Sequence, residues 1–294
     1  MTSRIGIIGG SGLYDLEGLE ILDYMNIDTP WGKPSDKLML ASHQGQEIVF
    51  LPRHGQHHSF PPHHVPYRAN IYAMKLAGVK EIISISAVGS LREEIKPGDF
   101  VLPDQFIDRT RSRASTFFEG PLVAHVSMAD PICSGLQNEL HAACCEQPIT
   151  THLGGTYLVM EGPQFSTRAE SNLYRQWGMD IIGMTNMPEA KLAREAEICY
   201  ATVAMCTDFD CWHEEEDNVS VSSVVEVMRG NVMQAKAMLK SFLDHRVKST
   251  AIQTTGDNPV CACQSALEHG LFADLKQCSD SSLRPIHALV ERLL

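Results

Sequence analysis

The segment RIGIIGGSGL at residues 4–13 joins a short apolar strand to a glycine-rich turn, and it decides the class of the fold. The strand, predicted over Arg4–Ile8, is apolar on both faces, which is typical of a sheet covered by helices on each side. The glycines permit a tight turn that exposes backbone N–H groups and the Ser11 hydroxyl to an anion. A dinucleotide fingerprint is excluded because Asp15 stands where the third glycine should be. An ordinary strand-to-loop turn remains the alternative.

Similar apolar runs recur along the chain and alternate with stretches that have helical spacing. Further strands are predicted at Glu47–Leu51, Glu81–Ser86, Asp99–Leu102, Thr156–Met160, Asp180–Met184 and Ile198–Met205. Apolar residues at helical spacing predict helices at Tyr67–Ala77, Pro131–Cys145, Ser166–Trp177 and Met187–Ala196. This alternation predicts an α/β domain with a mixed, mainly parallel sheet flanked by helices.

A long amphipathic helix is predicted from Ser220 to His245, after which the periodicity stops. Residues 246–263 are rich in Lys, Thr, Gln, Gly, Asp and Pro, and shorter amphipathic segments follow. We therefore expect a single catalytic domain over residues 1–245. Residues 246–294 are expected to form a cysteine-containing helical tail that packs on this domain or on a neighbouring subunit.

The composition is that of an acidic globular chain of 294 residues, with 24 Lys+Arg, 36 Asp+Glu and a formal net charge of −12. This balance argues against a nucleic-acid partner, because phosphate backbones are bound by clustered basic residues. It permits a small anionic substrate in a local pocket. No run approaches the roughly 20 apolar residues that span a bilayer, and the first residues lack a signal-peptide pattern. A cytoplasmic location with no membrane partner is predicted.

Nine cysteines are spread over the chain, and buried reduced thiols are the default interpretation for most of them. Cys261 and Cys263 differ, because a C-x-C pair can close a strained disulfide or offer two thiolates to a metal. No second close pair with zinc-like spacing accompanies them. The sequence therefore predicts no metal site, and it leaves disulfide formation open.

Small polar groups at strand ends predict a site for an anion. Arg53 and His54 begin the loop RHGQHHSFPPHH at residues 53–64, which follows an apolar strand. Ser86 lies in SISAVGSL at residues 84–91, and Thr185 lies in GMTN at residues 183–186. Hydroxyls, N–H groups and a guanidinium grip phosphate oxygens well. A metal site or a solvated loop remains an alternative for the histidine-rich segment, and the chain has no P-loop.

Two carboxyls follow the last predicted strand, at Asp208 and Asp210 after Thr207. In extended backbone, side chains two positions apart share a face, so both carboxyls can point into one cleft. A carboxyl at the end of an apolar strand is easily held protonated as a general acid. A solvated turn is the alternative.

Phe165 is expected either to stack on a flat ligand or to pack in the core. It precedes a helix whose start is predicted to carry a capping box formed by Thr167 and Glu170.

Longer motifs resemble a known family. The segments IGIIGGSGL (5–13), LPRHGQHH (51–58), SAVGSLREEIKPGDFVLPDQFIDRT (86–110), EGPQFSTRAESNLYRQWGMDIIGMT (161–185), MPEAKLAREAEICYATVAMCTDFDCWHEEE (187–216) and VSV (219–221) resemble the 5′-methylthioadenosine phosphorylases of the purine nucleoside phosphorylase superfamily. The resemblance runs in register from about residue 4 to 245. It implies a mixed, distorted, β-barrel-like sheet flanked by helices and assembly as a homotrimer or homohexamer.

The resemblance also implies a role for each motif residue. The predicted phosphate ligands are Ser11, Arg53, His54, Ser86 and Thr185. The predicted substrate-binding residues are Ala87, Phe165, Ser166, Met184, Thr207, Val221, Val224 and His125, the last donated by an adjacent subunit. Asp208 would protonate the purine at N7, and Asp210 would support it. Inorganic phosphate would be a co-substrate, with no metal or organic cofactor.

Individual residues imply the preferred substrate. Relatives specific for 6-oxopurines usually carry Glu after the phenylalanine and Asn at the first carboxylate, where this chain has Ser166 and Asp208. Val221 replaces the histidine expected where a 5′-hydroxyl is bound, which favours a 5′-methylthio group. The implied reaction is reversible phosphorolysis of 5′-methylthioadenosine to adenine and 5-methylthioribose 1-phosphate. A broader purine nucleoside phosphorylase or a methylthioinosine phosphorylase is the alternative, and a hydrolytic nucleosidase or a noncatalytic nucleoside-binding relative is more remote.

Overall fold

A computed structural model describes residues 4–213, 221–252 and 261–294, apart from the side chains of Ser11, 221–224 and 250–252. Its strands are β1 (Arg4–Gly9), β2 (Glu20–Met25), β3 (Leu38–His43), β4 (Gln46–Pro52), β5 (Val79–Ser90), β6 (Phe100–Leu102), β7 (Gln105–Asp108), β8 (Thr151–Leu153), β9 (Thr156–Val159), β10 (Ile181–Gly183) and β11 (Cys199–Asp208). Its helices are α1 (Tyr67–Leu76), α2 (Ser134–Cys145), α3 (Arg168–Gln176), α4 (Asn186–Glu195), α5 (Val221–Ile252), α6 (Asp280–Leu283) and α7 (His287–Val290).

All the predicted strands and helices are confirmed, most of them to within a few residues at each end. The predicted capping box is present, since the Thr167 side chain accepts from the Glu170 N–H and the Glu170 side chain accepts from the Thr167 N–H. Strands β2, β3, β7 and β8 were not predicted. Strand β2 is exposed at nearly every position, and β7 and β8 have four and three residues, so none of these three presents a clear apolar period.

The sheet is mixed and branches at β5. One path runs in the order β2-β3-β4-β1-β5-β10-β9-β7, and β11, β6 and β8 extend from β5 in a second direction. Strands β4, β1, β5 and β11 are parallel to their neighbours in this group, whereas β10 pairs antiparallel with β5. The carboxyl ends of four strands therefore meet at one edge. The predicted mixed sheet flanked by helices is confirmed, but the described strands do not close into a barrel.

One large hydrophobic core joins the sheet, the helices and the C-terminal segment. Buried side chains of residues 261–294, among them Leu267, Leu289 and Val290, belong to the same core as β1, β5 and β11. Arg292 adds an ion pair to Glu197, with 2.8 Å between Nη2 and Oε1. Helix α5 continues to Ile252, through the domain boundary predicted at residue 245. Among the described residues, no helix has the length and apolar character needed to cross a membrane.

Candidate active site

A cavity of about 410 Å³ opens at the sheet edge where the parallel strands end. Its volume lies in the range of about 300–1,000 Å³ that is usual for small-molecule sites. Strands β1, β5 and β11 reach this edge, β10 crosses it, and helix α5 covers one side. The lining includes ten of the residues predicted from the sequence, namely Arg53, His54, Ser86, Ala87, Phe165, Met184, Thr185, Thr207, Asp208 and Asp210.

The other predicted residues are not found in this lining. Ser166 is buried beside the cavity, with its Oγ 3.7 Å from the Met160 sulfur. His125 is exposed, and its ring contacts Phe272 edge-on with the ring centroids 5.4 Å apart. The side chains of Ser11, Val221 and Val224 lie outside the described part of the structure, although Val221 begins α5.

Arg53 lies at the base of the cavity in a buried ion pair. Its Nε and Nη2 donate to the two carboxylate oxygens of Glu189 at 2.8 and 3.0 Å. Nη1 donates to the Ile85 carbonyl, and Nη2 also contacts the Ile8 carbonyl and the Ser84 hydroxyl. Although burial alone would lower the pKa of Arg53, the Glu189 carboxylate raises it above its usual value. The guanidinium is therefore charged and rigid, and among the described residues Nη1 has one partner, the Ile85 carbonyl, for its two hydrogens.

His54 faces the same cavity as a neutral imidazole. Its Nδ1 is 2.7 Å from the Phe60 carbonyl, which fixes the proton on Nδ1. Burial lowers the pKa of His54 to about 4, and the Arg53 charge adds to this effect. The other histidines of the loop do not complete a metal site, since the only group of converging metal ligands among the described residues is formed by cysteines. His54 thus presents a fixed hydrogen-bonding nitrogen rather than a positive charge.

The depressed pKa of His54 predicts a loss of stability in acid. The unfolded chain binds a proton at His54 near pH 6.5, but the folded protein resists it down to about pH 4. Stability therefore falls as the pH drops through this window, by up to about 2 kcal/mol between pH 6.5 and 5. His54→Asn keeps a donor near the Phe60 carbonyl and removes this titration. Urea unfolding of both proteins at pH 7.5 and pH 5 should show a smaller acid loss in the variant; equal losses would contradict the assignment.

Two hydroxyl residues complete the polar end of the cavity. Ser86 is buried on β5, and its Oγ has no hydrogen-bond partner among the described residues. Thr185 precedes helix α4 as its N-cap residue, and its side chain makes no capping hydrogen bond. A buried hydroxyl without a partner is costly unless a ligand satisfies it. Together with Arg53, these groups form a site suited to an oxyanion.

A pair of carboxyls occupies another part of the lining. Asp208 ends β11, where the pairing with β5 shifts register after Cys206, a distortion that redirects side chains. The Asp208 carboxyl accepts from the Thr207 hydroxyl at 2.6 Å and from the Asp210 N–H at 2.8 Å. Burial raises the pKa of Asp210, and the neighbouring Asp208 carboxyl raises it further. The Asp210 carboxyl therefore favours its protonated form more than an exposed aspartate does.

Gly89 makes room for these carboxyls, since a β-carbon at this position would lie 2.9 Å from Oδ1 of Asp208 and 3.2 Å from Ile182. Gly89→Ala should displace the Asp208 carboxyl and lower kcat by about 10- to 100-fold, because errors of about 1 Å in catalytic groups cost this much. The check is kcat at saturating substrates. Gly135→Ala, whose β-carbon meets nothing within 4 Å, is the matched control. A wild-type kcat in Gly89→Ala would contradict the placement.

The remaining walls are apolar and include residues that sequence reasoning missed. Met160, Ile182, Met205, Met228 and Val232 line the space between the polar ends. Phe165 is 48% exposed and lines the cavity, so the core-packing alternative for this residue is wrong. Met228 and Val232 lie one turn apart on α5 and form the wall of the cavity that this helix supplies. Their helical spacing was the only sign of this wall in the sequence.

Two buried charged residues that brace the site were also missed. Glu189 is 1% exposed on α4 and binds Arg53, Ser84 and Tyr200. Arg113 donates from Nη1 to the carbonyls of Met184 and Met187, both at 2.6 Å. A helical glutamate or a loop arginine is usually solvated, so the sequence contains no local signal for either residue; Glu189 lies within the segment 187–216 that carries the family resemblance, and Arg113 lies outside the quoted segments.

The fold and the site define a phosphorylase: parallel strands of an α/β sheet end around an oxyanion site that faces a carboxyl pair across an apolar cavity. Residues 4–244 match the profile of the phosphorylase superfamily. The chain is 52% identical to the S-methyl-5′-thioadenosine phosphorylase of Geobacter sulfurreducens over 93% of each chain. The chain belongs to the S-methyl-5′-thioadenosine phosphorylase family.

Solved structures agree with this assignment. A methylthioadenosine phosphorylase from an Antarctic soil metagenomic library is 46% identical, with a TM-score of 0.89 over 98% of this chain and 99% of that chain. The methylthioadenosine phosphorylase of Schistosoma mansoni in complex with adenine is 35% identical, with a TM-score of 0.82 over 92% of this chain and 99% of that chain. The fold predicted from the resemblance is thus that of the family.

Proposed function

We propose that this protein catalyses the reversible, phosphate-dependent cleavage of 5′-methylthioadenosine to adenine and 5-methylthioribose 1-phosphate. The observation that carries the proposal is the register of β5 and β11. Ser86 pairs with Ala204, and Gly89 pairs with Asp208. Three residues of a strand span about 10 Å, so the oxyanion site and the carboxyl pair are separated by about the length of a ribose with its two substituents.

Phosphate binds at the polar end. Ser86 and Thr185 donate their hydroxyl protons, and Arg53 donates its remaining Nη1 hydrogen. Ser11 donates from the turn after β1. His54, neutral with its proton on Nδ1, accepts a hydrogen bond at Nε2 from a protonated phosphate oxygen. Phosphate is then held by directed hydrogen bonds, which fix one oxygen for attack at C1′.

The purine binds at the carboxyl end, against the exposed face of Phe165. Asp208 donates a proton to N7, and the buried Asp210, whose pKa burial raises, supports the Asp208 segment through its N–H bond to the Asp208 carboxyl. A carboxyl oxygen also accepts from the 6-amino group, which favours adenine over hypoxanthine. Met184 and Ala87 line the ribose between the two ends.

Bond cleavage separates charge across the cavity. As the N-glycosidic bond lengthens, negative charge grows on the purine and positive charge on the ribosyl ring. The proton from Asp208 neutralises the purine, which leaves as adenine. A phosphate oxygen forms a bond to C1′ from the opposite face, so the configuration is inverted. Each group stabilises charge that is present in the transition state but not in the ground state. This preferential stabilisation lowers the activation barrier and accelerates the reaction.

The 5′-methylthio group requires an apolar end to the cavity. Met228 and Val232 of α5 supply part of it. Val221 and Val224, at the start of the same helix, and His125 from an adjacent subunit are proposed to complete it. This arrangement requires an oligomer, for which the family resemblance implies a homotrimer or homohexamer. No metal or organic cofactor takes part in the reaction, and a cytoplasmic location remains a prediction.

A substrate panel tests the proposal. Purified protein is given methylthioadenosine, adenosine, inosine or methylthioinosine, each with and without phosphate, and base release is followed by chromatography. We expect the highest kcat/KM for methylthioadenosine and negligible turnover without phosphate. Dominant turnover of inosine or methylthioinosine would replace the proposed substrate by a 6-oxopurine nucleoside. Full activity without phosphate would indicate a hydrolytic nucleosidase.

A further inference from the structure

Four cysteines from distant parts of the chain converge where the C-terminal segment meets the sheet. Cys199 begins β11, Cys133 is the N-cap residue of α2, and Cys261 and Cys263 lie in the C-terminal segment. Their four sulfur atoms all lie within 4.8 Å of one another. Cys133, Cys199 and Cys263 are buried, and Cys261 is half-buried.

The distances fit one centre better than two separate pairs. Zinc bound to four thiolates has Zn–S bonds of about 2.3 Å, so the sulfurs of a regular tetrahedron lie about 3.8 Å apart. The sulfurs of Cys133 and Cys261, 128 positions apart in sequence, are separated by 3.7 Å. A disulfide would bring two sulfurs to about 2.05 Å from each other. It would not explain why the other two sulfurs lie within 4.8 Å of the same pair.

The surroundings suit thiolates. Cys133 lies at the N-terminus of the twelve-residue helix α2, where N–H groups and the helix dipole stabilise a negative charge. The Gln264 side-chain amide points its N–H at the Cys199 sulfur, 3.9 Å away. These groups would partly compensate a centre with net negative charge.

We propose that Cys133, Cys199, Cys261 and Cys263 form a structural Zn²⁺ site. Four thiols bind one Zn²⁺ and release four protons, which leaves a tetrathiolate centre with a net charge of −2. All four positions are filled by protein, which is the arrangement of structural rather than catalytic zinc. Cys199 and Asp208 lie at opposite ends of β11, about 30 Å apart along the strand, so the metal cannot reach the reacting atoms.

The site would fasten residues 261–294 to the sheet. The sequence prediction of no metal rested on the spacing of one C-x-C pair, whereas the fold brings the other two ligands from residues 133 and 199. A metal that bridges segments so distant along the chain stabilises the folded state, because the unfolded chain has no preformed site. Loss of the metal should therefore lower the Tm by at least about 5 °C.

Metal analysis of the full chain tests the proposal. The protein is purified with a thiol reductant and without chelator, supplied with Zn²⁺, passed through a desalting column and analysed by mass spectrometry for metals. We expect one zinc per chain in the wild type and in the control Cys145→Ser, whose cysteine is exposed outside the cluster. Cys261→Ser, at the half-buried ligand, should lose most of the zinc.

Two measurements on the wild type keep the test independent of how the variant folds. Replacement of zinc by Co²⁺ should produce the visible bands of tetrahedral thiolate coordination, and a mercurial that modifies thiols should release one zinc per chain. Absence of stoichiometric zinc and of these bands would overturn the proposal. So would an intact mass, for protein prepared under the same conditions, that shows these cysteines joined in disulfides. Neither result depends on whether the protein cleaves methylthioadenosine.

Discussion

Asp208→Asn is expected to lower kcat for methylthioadenosine by at least about 100-fold, the usual loss when a general acid is removed. An amide cannot give a proton to N7, so the purine must leave as an anion. The amide oxygen can still accept the Asp210 N–H bond, which is 2.8 Å long in the wild type. The fold and phosphate binding should therefore survive, and the loss should fall on kcat rather than on KM for phosphate.

Two further variants test whether the loss of kcat is specific to Asp208. Asp210→Asn removes the supporting carboxyl but leaves Asp208 in place, so we expect a smaller loss, of about tenfold. Asp23→Asn changes an exposed aspartate on β2 and should leave kcat unchanged. Steady-state kinetics at saturating phosphate, with Tm as the check on folding, separates the three variants. A wild-type kcat in Asp208→Asn would remove Asp208 from its assigned role.

Arg53→Met is expected to have the second large effect, because it acts on both stability and phosphate binding. It leaves the Glu189 carboxylate buried without its cation, which costs about 3–5 kcal/mol of unfolding free energy. It also removes the Nη1 donor, and loss of one charge-assisted hydrogen bond lowers kcat/KM for phosphate by about 10- to 100-fold. Urea unfolding and phosphate titrations measure the two effects separately.

The double variant Arg53→Met/Glu189→Gln distinguishes the structural role of Arg53 from its role toward phosphate. With Glu189 neutral, most of the lost stability should return, but kcat/KM for phosphate should stay low. Arg92→Met is the control, because its ion pair with Asp180 is partly exposed and should be worth at most about 1 kcal/mol. Recovery of phosphate kinetics in the double variant would mean that Arg53 serves only the fold.

The ion pair also changes how an acidic protein binds phosphate. The sequence predicted a local anion site built from Arg53, His54, hydroxyls and N–H groups in a protein with a net charge of −12. In the structure the Arg53 charge is compensated by Glu189, and His54 is neutral above about pH 4. The proposed phosphate site is therefore built mainly from oriented hydroxyls, N–H groups and one guanidinium hydrogen. Such a site does not attract phosphate over long distances, and affinity depends on geometry.

Much of the fold was predictable because its determinants are local. The apolar runs of β1, β5 and β11 and the capping box at Thr167 signal their own structures. Ser86 and Asp208 lie in the carboxyl-terminal halves of β5 and β11, and Thr185 follows β10. Their convergence follows from the parallel pairing of these strands. The site residues that lie on strand ends were therefore predictable as a group, with the family resemblance adding their individual roles.

The unpredicted features depend on contacts between distant segments. Glu189 has no local signal that it pairs with Arg53, 136 positions away. The exposed strand β2 lacks an apolar face, so only its pairing with β3 reveals it. The cysteine cluster joins three separate segments, and spacing along the chain cannot reveal it. These features are determined by which distant residues are buried against each other, and the local sequence pattern does not contain that information.

The most direct test of the account follows both products of methylthioadenosine cleavage in phosphate buffer, with adenine measured by chromatography and the sugar by phosphorus NMR. Attack of phosphate on C1′ predicts one 5-methylthioribose 1-phosphate, of inverted configuration, for each adenine released. It also predicts that adenine release stops when phosphate is removed. Free methylthioribose as the main product, or adenine release that continues without phosphate, would contradict the account.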